Sequence, residues 1–128
     1  MTTDLAKLIE KGESKALEFK RSTGELHEAL QTTCAFANGS GGRVVIGVRP
    51  DGQIVGQQVS EQTLYDIAAA CERFEPPIEL AIDSIDVAAG RKVLVLSVSG
   101  ITDSVPFTYD GRSFERVGNT TRKMSQER

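Results

Sequence analysis

The run Arg43-Val44-Val45-Ile46-Gly47-Val48 constrains the fold of this chain more than any other stretch. A strand with one face in water alternates apolar and polar residues. A nearly continuous β-branched run needs cover on both faces. The segment therefore reads as the central strand of a layered domain. With 128 residues, 39% hydrophobic and 26% charged, the chain is long enough to bury one such core and has an ordinary globular composition.

Elements suited to that layering flank the run. Residues 4–11 read as a short amphipathic helix with Leu5, Leu8 and Ile9 on one side, ended by Gly12. In residues 16–21, Leu17 and Phe19 alternate with Glu18 and Lys20, the period of a half-buried strand. Ser22-Thr23-Gly24-Glu25 has capping-box spacing. The helix it opens shows the stripe Leu26, Ala29, Leu30, Thr33, Cys34 and Ala37, and ends at Asn38-Gly39. After the central strand, Pro50-Asp51-Gly52 is turn chemistry, with Gln53-Ile54-Val55-Gly56 returning as a hairpin partner. Ser60 caps a second helix whose stripe is Leu64, Ile67, Ala68, Cys71 and Phe74, stopped by Pro76-Pro77. Residues 78–87 and 92–98 are strands joined at Ala89-Gly90, and residues 106–109 and 112–117 form a hairpin around Asp110-Gly111. Ser125 resembles the N-cap of a further helix. The expectation is a single α+β domain over residues 1–128, with a mixed β-sheet and two main helices packed on it, forming the N-terminal part of a longer chain.

Several function classes drop out. No apolar run approaches the ~20 residues that cross a bilayer. Asp4, Lys7 and Glu10 rule out a secretory signal at the N-terminus. The expected location is cytoplasmic, with no membrane partner. Cys34 and Cys71 read as small buried residues, and a disulfide is not expected. His27 is the sole histidine and lies on the polar side of its helix, so neither a zinc site nor a nucleophilic triad is expected. The net charge is −3, against an indiscriminate nucleic-acid binder. The charge is uneven, however. From residue 107 onward, Arg112, Arg116, Arg122, Lys123 and Arg128 stand against Asp110, Glu115 and Glu127, a net of +2. Over residues 51–75, Arg73 stands against Asp51, Glu61, Asp66, Glu72 and Glu75, a net of −4. An acidic protein can own a basic face.

Three segments carry candidate chemistry. Glu13-Ser14-Lys15-Ala16-Leu17-Glu18-Phe19-Lys20 puts two carboxylates and two ammonium groups around one strand, either a solvated charged edge or a site for metal or phosphate. In 114–123, Arg116 leaves the sheet beside Gly118, Asn119, Thr120 and Thr121 offer neutral hydrogen bonds, and Arg122 and Lys123 add charge. Phosphate contacts use this mixture, although a polar surface loop has it too. Asn38-Gly39-Ser40-Gly41-Gly42-Arg43 is glycine-rich but runs from helix to strand and lacks a Gly-Lys-Ser/Thr ending, so ATP is not an expected partner. Tryptophan is absent, and only Phe107, Tyr109 and Phe114 are candidates to present a ring to a base.

The blocks 13–20, Thr33-Cys34-Ala35-Phe36-Ala37-Asn38, 41–48, Asp51-Gly52, Ile54-Val55-Gly56 and Arg116-Val117-Gly118-Asn119-Thr120-Thr121-Arg122 fall in the order of the Schlafen AlbA-type domain, which the chain resembles from about Glu13 to Arg122. The resemblance implies a nucleic-acid-binding α+β domain, commonly the N-terminal module of bacterial or archaeal transcriptional regulators and helicase-like proteins. It also implies, through RNA-cleaving eukaryotic relatives, two glutamates that match Glu13 and Glu18. The third acid of those relatives follows the Gly-Val of the central strand. Here Arg49-Pro50 stands there and Asp51 comes further on. A guanidinium beside a metal site repels the ion and pairs with the carboxylates.

The leading reading is a DNA- or RNA-binding domain without catalysis and without cofactor. Lys15, Lys20, Arg21, Arg116, Arg122 and Lys123 contact phosphates, Asn119 and Thr120 add hydrogen bonds, and Glu13 and Glu18 orient the cations. One alternative is a ribonuclease with Mg²⁺ or Mn²⁺ on Glu13, Glu18 and Asp51. Another is a protein-interaction or homodimerisation module. The leading reading requires Lys20 and Arg116 to converge in space.

Overall fold

The computed structural model describes residues 4–100 and 106–125. In chain order it contains α1 (Leu5–Glu10), β1 (Leu17–Lys20), a 3₁₀ turn (Thr23–Glu25), α2 (Leu26–Ala37), β2 (Gly41–Ile46), α3 (Glu61–Cys71), β3 (Phe74–Glu75), β4 (Ala81–Ala88), β5 (Arg91–Ser99), β6 (Thr108–Tyr109), β7 (Phe114–Val117) and β8 (Thr120–Lys123). The main sheet has the order β1-β2-β5-β4. β1 runs parallel to β2, and the other pairings are antiparallel.

The apolar run is an inner strand, as its pattern required. Val44 and Ile46 pair with Leu96 and Leu94 and pack under α2, with Leu30, Cys34 and Phe36. Val45 pairs with Val95 on the other face, beside Leu17 and Phe19 of β1, and is covered by Leu5 and Leu8 of α1. One face thus carries a twelve-residue helix and the other a helix of six residues. Helix α3 joins the α2-side core through Ile67 and Ala70. Ser60 and Thr63 close a reciprocal capping box at its start.

Several local expectations are corrected. The hairpin over residues 53–56 does not form as strands. Gly47, at φ 112°, ends β2, and its carbonyl accepts from both Val55 and Gly56. β5 then takes the place beside β2. Ser22 and Glu25 do not make a reciprocal box: Ser22 Oγ accepts from Gly24, while Glu25 Oε1 accepts the N–H of Arg21. Leu64 is 46% exposed and Ala68 is exposed, so the α3 stripe is narrower than its sequence suggests. Asp110 and Gly111 do make the two-residue turn, at φ 55° and 83°, with Tyr109 and Arg112 exchanging backbone bonds. The flanking strands then part. β6 pairs with β3 and β7 with β8, so residues 114–123 form a hairpin rather than a strand and a loop. Its turn, Gly118-Asn119, has Gly118 at φ 61°, a first-position glycine of the kind tight hairpins favour. The helix expected beyond Ser125 lies outside the described residues. Among them, no helix is long and apolar enough to cross a membrane.

Candidate nucleic-acid interface

β1 is an edge strand, and an edge strand leaves backbone groups open to pairing by another chain. Here side chains close that edge. Glu13 Oε2 accepts the Phe19 N–H at 3.0 Å. Arg116, projecting from β7, donates through Nη2 to the carbonyls of Ser14 at 2.8 Å and Leu17 at 3.1 Å. Its Nη1 donates to Thr121 Oγ1 at 2.9 Å, and that hydroxyl also lies 2.8 Å from Thr32 Oγ1 of α2. Its guanidinium carbon lies 5.1 Å from the Phe36 ring centroid, within cation–π range. One buried arginine therefore bolts the β7–β8 hairpin onto β1 and α2.

The same guanidinium lies 2.8 Å from Glu18 Oε1, while Lys20 Nζ is 3.2 Å from Glu18 Oε2. The first contact is an ion pair rather than an aligned hydrogen bond, since Glu18 Oε1 and Arg116 Nε have no hydrogen-bond partner. Glu18 is thus shared by two cations from opposite ends of the chain, and the three groups together carry one positive charge. Lys20 and Arg116 do converge.

The other expected site residues distribute around this triad. Lys20, Glu28, Gln31, Thr32, Asn119 and Thr120 line a cleft of about 260 Å³ between α2 and the hairpin tip. Glu28, Gln31 and Thr32 were not singled out in the sequence, although the spacing i, i+3, i+4 puts them on one side of α2. Lys15, exposed in the turn before β1, borders an adjoining hollow of about 270 Å³ with Arg116, Ser40 and Glu115. Arg21 is exposed at the far end of β1, and Lys123 is exposed on β8. Arg122 is held by Glu115 at 2.9 Å. Arg116 needs a revised role. Its side chain is 3% exposed and its guanidinium is engaged by Ser14, Leu17, Thr121 and Glu18, which leaves it little access to an outside phosphate.

Two further corrections follow. Asp51 does not join Glu13 and Glu18. Its Oδ1 accepts from Gln53 N at 3.0 Å, and Arg49 lies 3.7 Å away. Among the described residues, no three His, Cys, Asp or Glu side chains form a group able to hold a metal ion. The carboxylate trio of the ribonuclease alternative is therefore not assembled. Phe107, Tyr109 and Phe114 are all core residues and cannot present rings to bases. The Tyr109 hydroxyl lies 2.6 Å from His27 Nδ1, and burial raises its phenol pKa above the ordinary value. Asn38, at the end of α2, was also missed. Its Nδ2 donates to the carbonyls of Phe107 and Phe114, and its Oδ1 accepts the N–H of Phe107. It ties the residue before β6 and the first residue of β7 to the helix.

Comparison with known proteins agrees with this architecture. No curated protein matches the chain. Among solved structures, the N-terminal domain of a RecG-related protein from Nitrosomonas europaea superposes with a TM-score of 0.60 at 19% identity, covering 98% of this chain and 96% of that one. The DIP2311 protein of Corynebacterium diphtheriae gives 0.59 at 19% identity over 86% of this chain, which corresponds to 22% of that longer protein. At such identities the likeness is one of fold. The family description "Schlafen, AlbA_2" matches residues 13–125, which include β1, the Glu18–Arg116 pair and the whole β7–β8 hairpin. The chain belongs to the Schlafen AlbA_2 family.

Proposed function

We propose that this chain is a nucleic-acid-binding domain that grips phosphates along the β1 edge and the β7–β8 hairpin. The observation that carries the reading is the shared Glu18 carboxylate. By holding Lys20 and Arg116 together, it sets the hairpin tip beside β1 and opens a cleft where an ammonium group meets the amide of Asn119 and the hydroxyl of Thr120. Phosphate oxygens are recognised by this combination of charge and neutral donors. Lys15, Arg21 and Lys123, all exposed, extend the positive rim. Glu18 and Arg116 are the rigid part and the lysines the contacting part. Within a larger protein, such a domain would address a transcriptional regulator to DNA or RNA.

The test is fluorescence polarisation with labelled single- and double-stranded DNA and RNA across a salt series. Four cationic contacts, Lys15, Lys20, Arg21 and Lys123, give a slope of log K against log salt of about −3 to −4. Lys15→Glu and Lys20→Ala each weaken binding to all sequences and flatten the slope. An affinity that is the same at 50 and 200 mM salt, to order of magnitude, refutes phosphate contact as the basis of binding.

A further inference from the structure

Arg43 is absorbed by the central-strand run in the sequence, yet it does not behave as a core residue. The register sets it between Leu17 of β1 and Ser97 of β5, on the sheet face that carries Val45 and Val95. It is exposed and, among the described residues, joins no ion pair. An inner strand is usually covered on both faces, so an exposed cation on one marks a place where that cover stops. The reason it can stand there is the shortness of α1. Among the described residues, the six of α1 pack over Val45 and Val95 and stop short of the start of β2 and the end of β5. Among the described residues, that part of the sheet borders a groove of about 770 Å³, in the size range of ligand sites. Lys11 and Arg43 supply two positive charges against Glu79, and Ser14, Ser97 and Ser99 supply hydroxyls over an apolar floor.

The groove lies on the α1 face of the sheet. Lys20 and Glu18 lie on the α2 face, because they alternate with the buried Leu17 and Phe19. The two sites meet at the edge of β1, where Ala16 lines both the groove and the hollow that holds Lys15 and Arg116. A path of cations thus runs from Lys20, past Lys15, to Lys11 and Arg43. It bends round a single strand edge. Duplex DNA, stiff over about 150 base pairs, cannot follow such a bend, whereas a single strand can.

The geometry points to the groove as a second nucleotide station, one that only a single strand reaches and that holds phosphates at Lys11 and Arg43 as the strand wraps the β1 edge. This rests on the phosphate interface proposed above. The test uses the full chain with a fluorescein-labelled 12-nucleotide single strand and the matching 12-base-pair duplex, both as DNA and as RNA. Wild type is compared with the Lys11→Gln/Arg43→Gln double variant and with Lys20→Ala. Two lost single-strand contacts reduce the salt slope by about 1.4 in the double variant, while its duplex isotherm stays at wild type. Lys20→Ala weakens both probes. Should Arg43→Gln disturb folding, Lys11→Gln alone reads out a change of about 0.7. A double variant that keeps the wild-type single-strand slope, while Lys20→Ala weakens binding, overturns the groove and leaves the interface standing. A wild-type chain that binds none of the probes overturns both.

Discussion

Replacing Arg116 with methionine isolates the contribution of the guanidinium, because methionine keeps an apolar stem beside Phe36. The carbonyls of Ser14 and Leu17 lose a donor, but each still accepts a backbone N–H across the 14–17 turn. The main cost therefore falls on Glu18, 13% exposed, which loses its nearer cation. Removing one partner of a buried pair costs about 3–5 kcal/mol. Lys20 stays 3.2 Å from the same carboxylate, so the lower end applies, about 3 kcal/mol. For a chain of this size that corresponds to a fall in Tm of roughly 10 °C. Circular-dichroism melting of wild type, Arg116→Met, Glu18→Gln and the double variant reads both the cost and its origin. If the pair is the origin, the double variant costs less than the two singles together, with a coupling of about 1–3 kcal/mol. An Arg116→Met chain melting within about 2 °C of wild type, or additive single costs, refutes the view that this arginine fastens the hairpin.

Three other perturbations test the surrounding framework. Asn38→Ala strands the Phe107 carbonyl and N–H and the Phe114 carbonyl; a loss of about 2–4 kcal/mol in urea unfolding is expected. Gly42→Ala places a Cβ 2.8 Å from the Ala16 carbonyl and from the Phe36 ring; a destabilisation of about 1–3 kcal/mol by overpacking is expected in the same assay. Burial pushes the Cys34 thiol from 9.0 up to about 11. Between those values the unfolded chain has released a proton that the folded chain retains, so this contribution is complete below pH 9 and declines as pH rises, by up to about 1.4 kcal/mol per unit. Urea midpoints measured from pH 8 to 10, in rough steps, should fall more steeply for wild type than for Cys34→Ala.

Much of the site was legible because local pattern governs it. Alternation at Leu17, Glu18, Phe19 and Lys20 put the charged pair on one face of a strand, and it is there. The cation-rich character of 116–123 was also legible. What it would do was not, since Arg116 reads the same in sequence whether it faces solvent or two carbonyls, a hydroxyl and a carboxylate. The Asp110-Gly111 turn was read correctly, yet the strands on either side found partners elsewhere. A turn fixes two residues, whereas pairing depends on which edge lies nearby. Ile54 and Val55 fit a strand pattern and lost their place to β5, whose six-residue register with β2 brings in the buried Leu94, Val95 and Leu96 while Ile54 stays exposed.

By itself, the sequence determined the layered α+β class, the central strand, the α2 stripe and the charged face of β1. Each of these is a periodicity, and periodicity is a property of neighbours along the chain. Only tertiary structure decided that Glu18 would hold Lys20 and Arg116 at once, that Asp51 would stay apart from the glutamates, and that a short α1 would leave Arg43 standing in an open groove. These are encounters between residues up to about a hundred positions apart, and packing rather than local preference sets their distances.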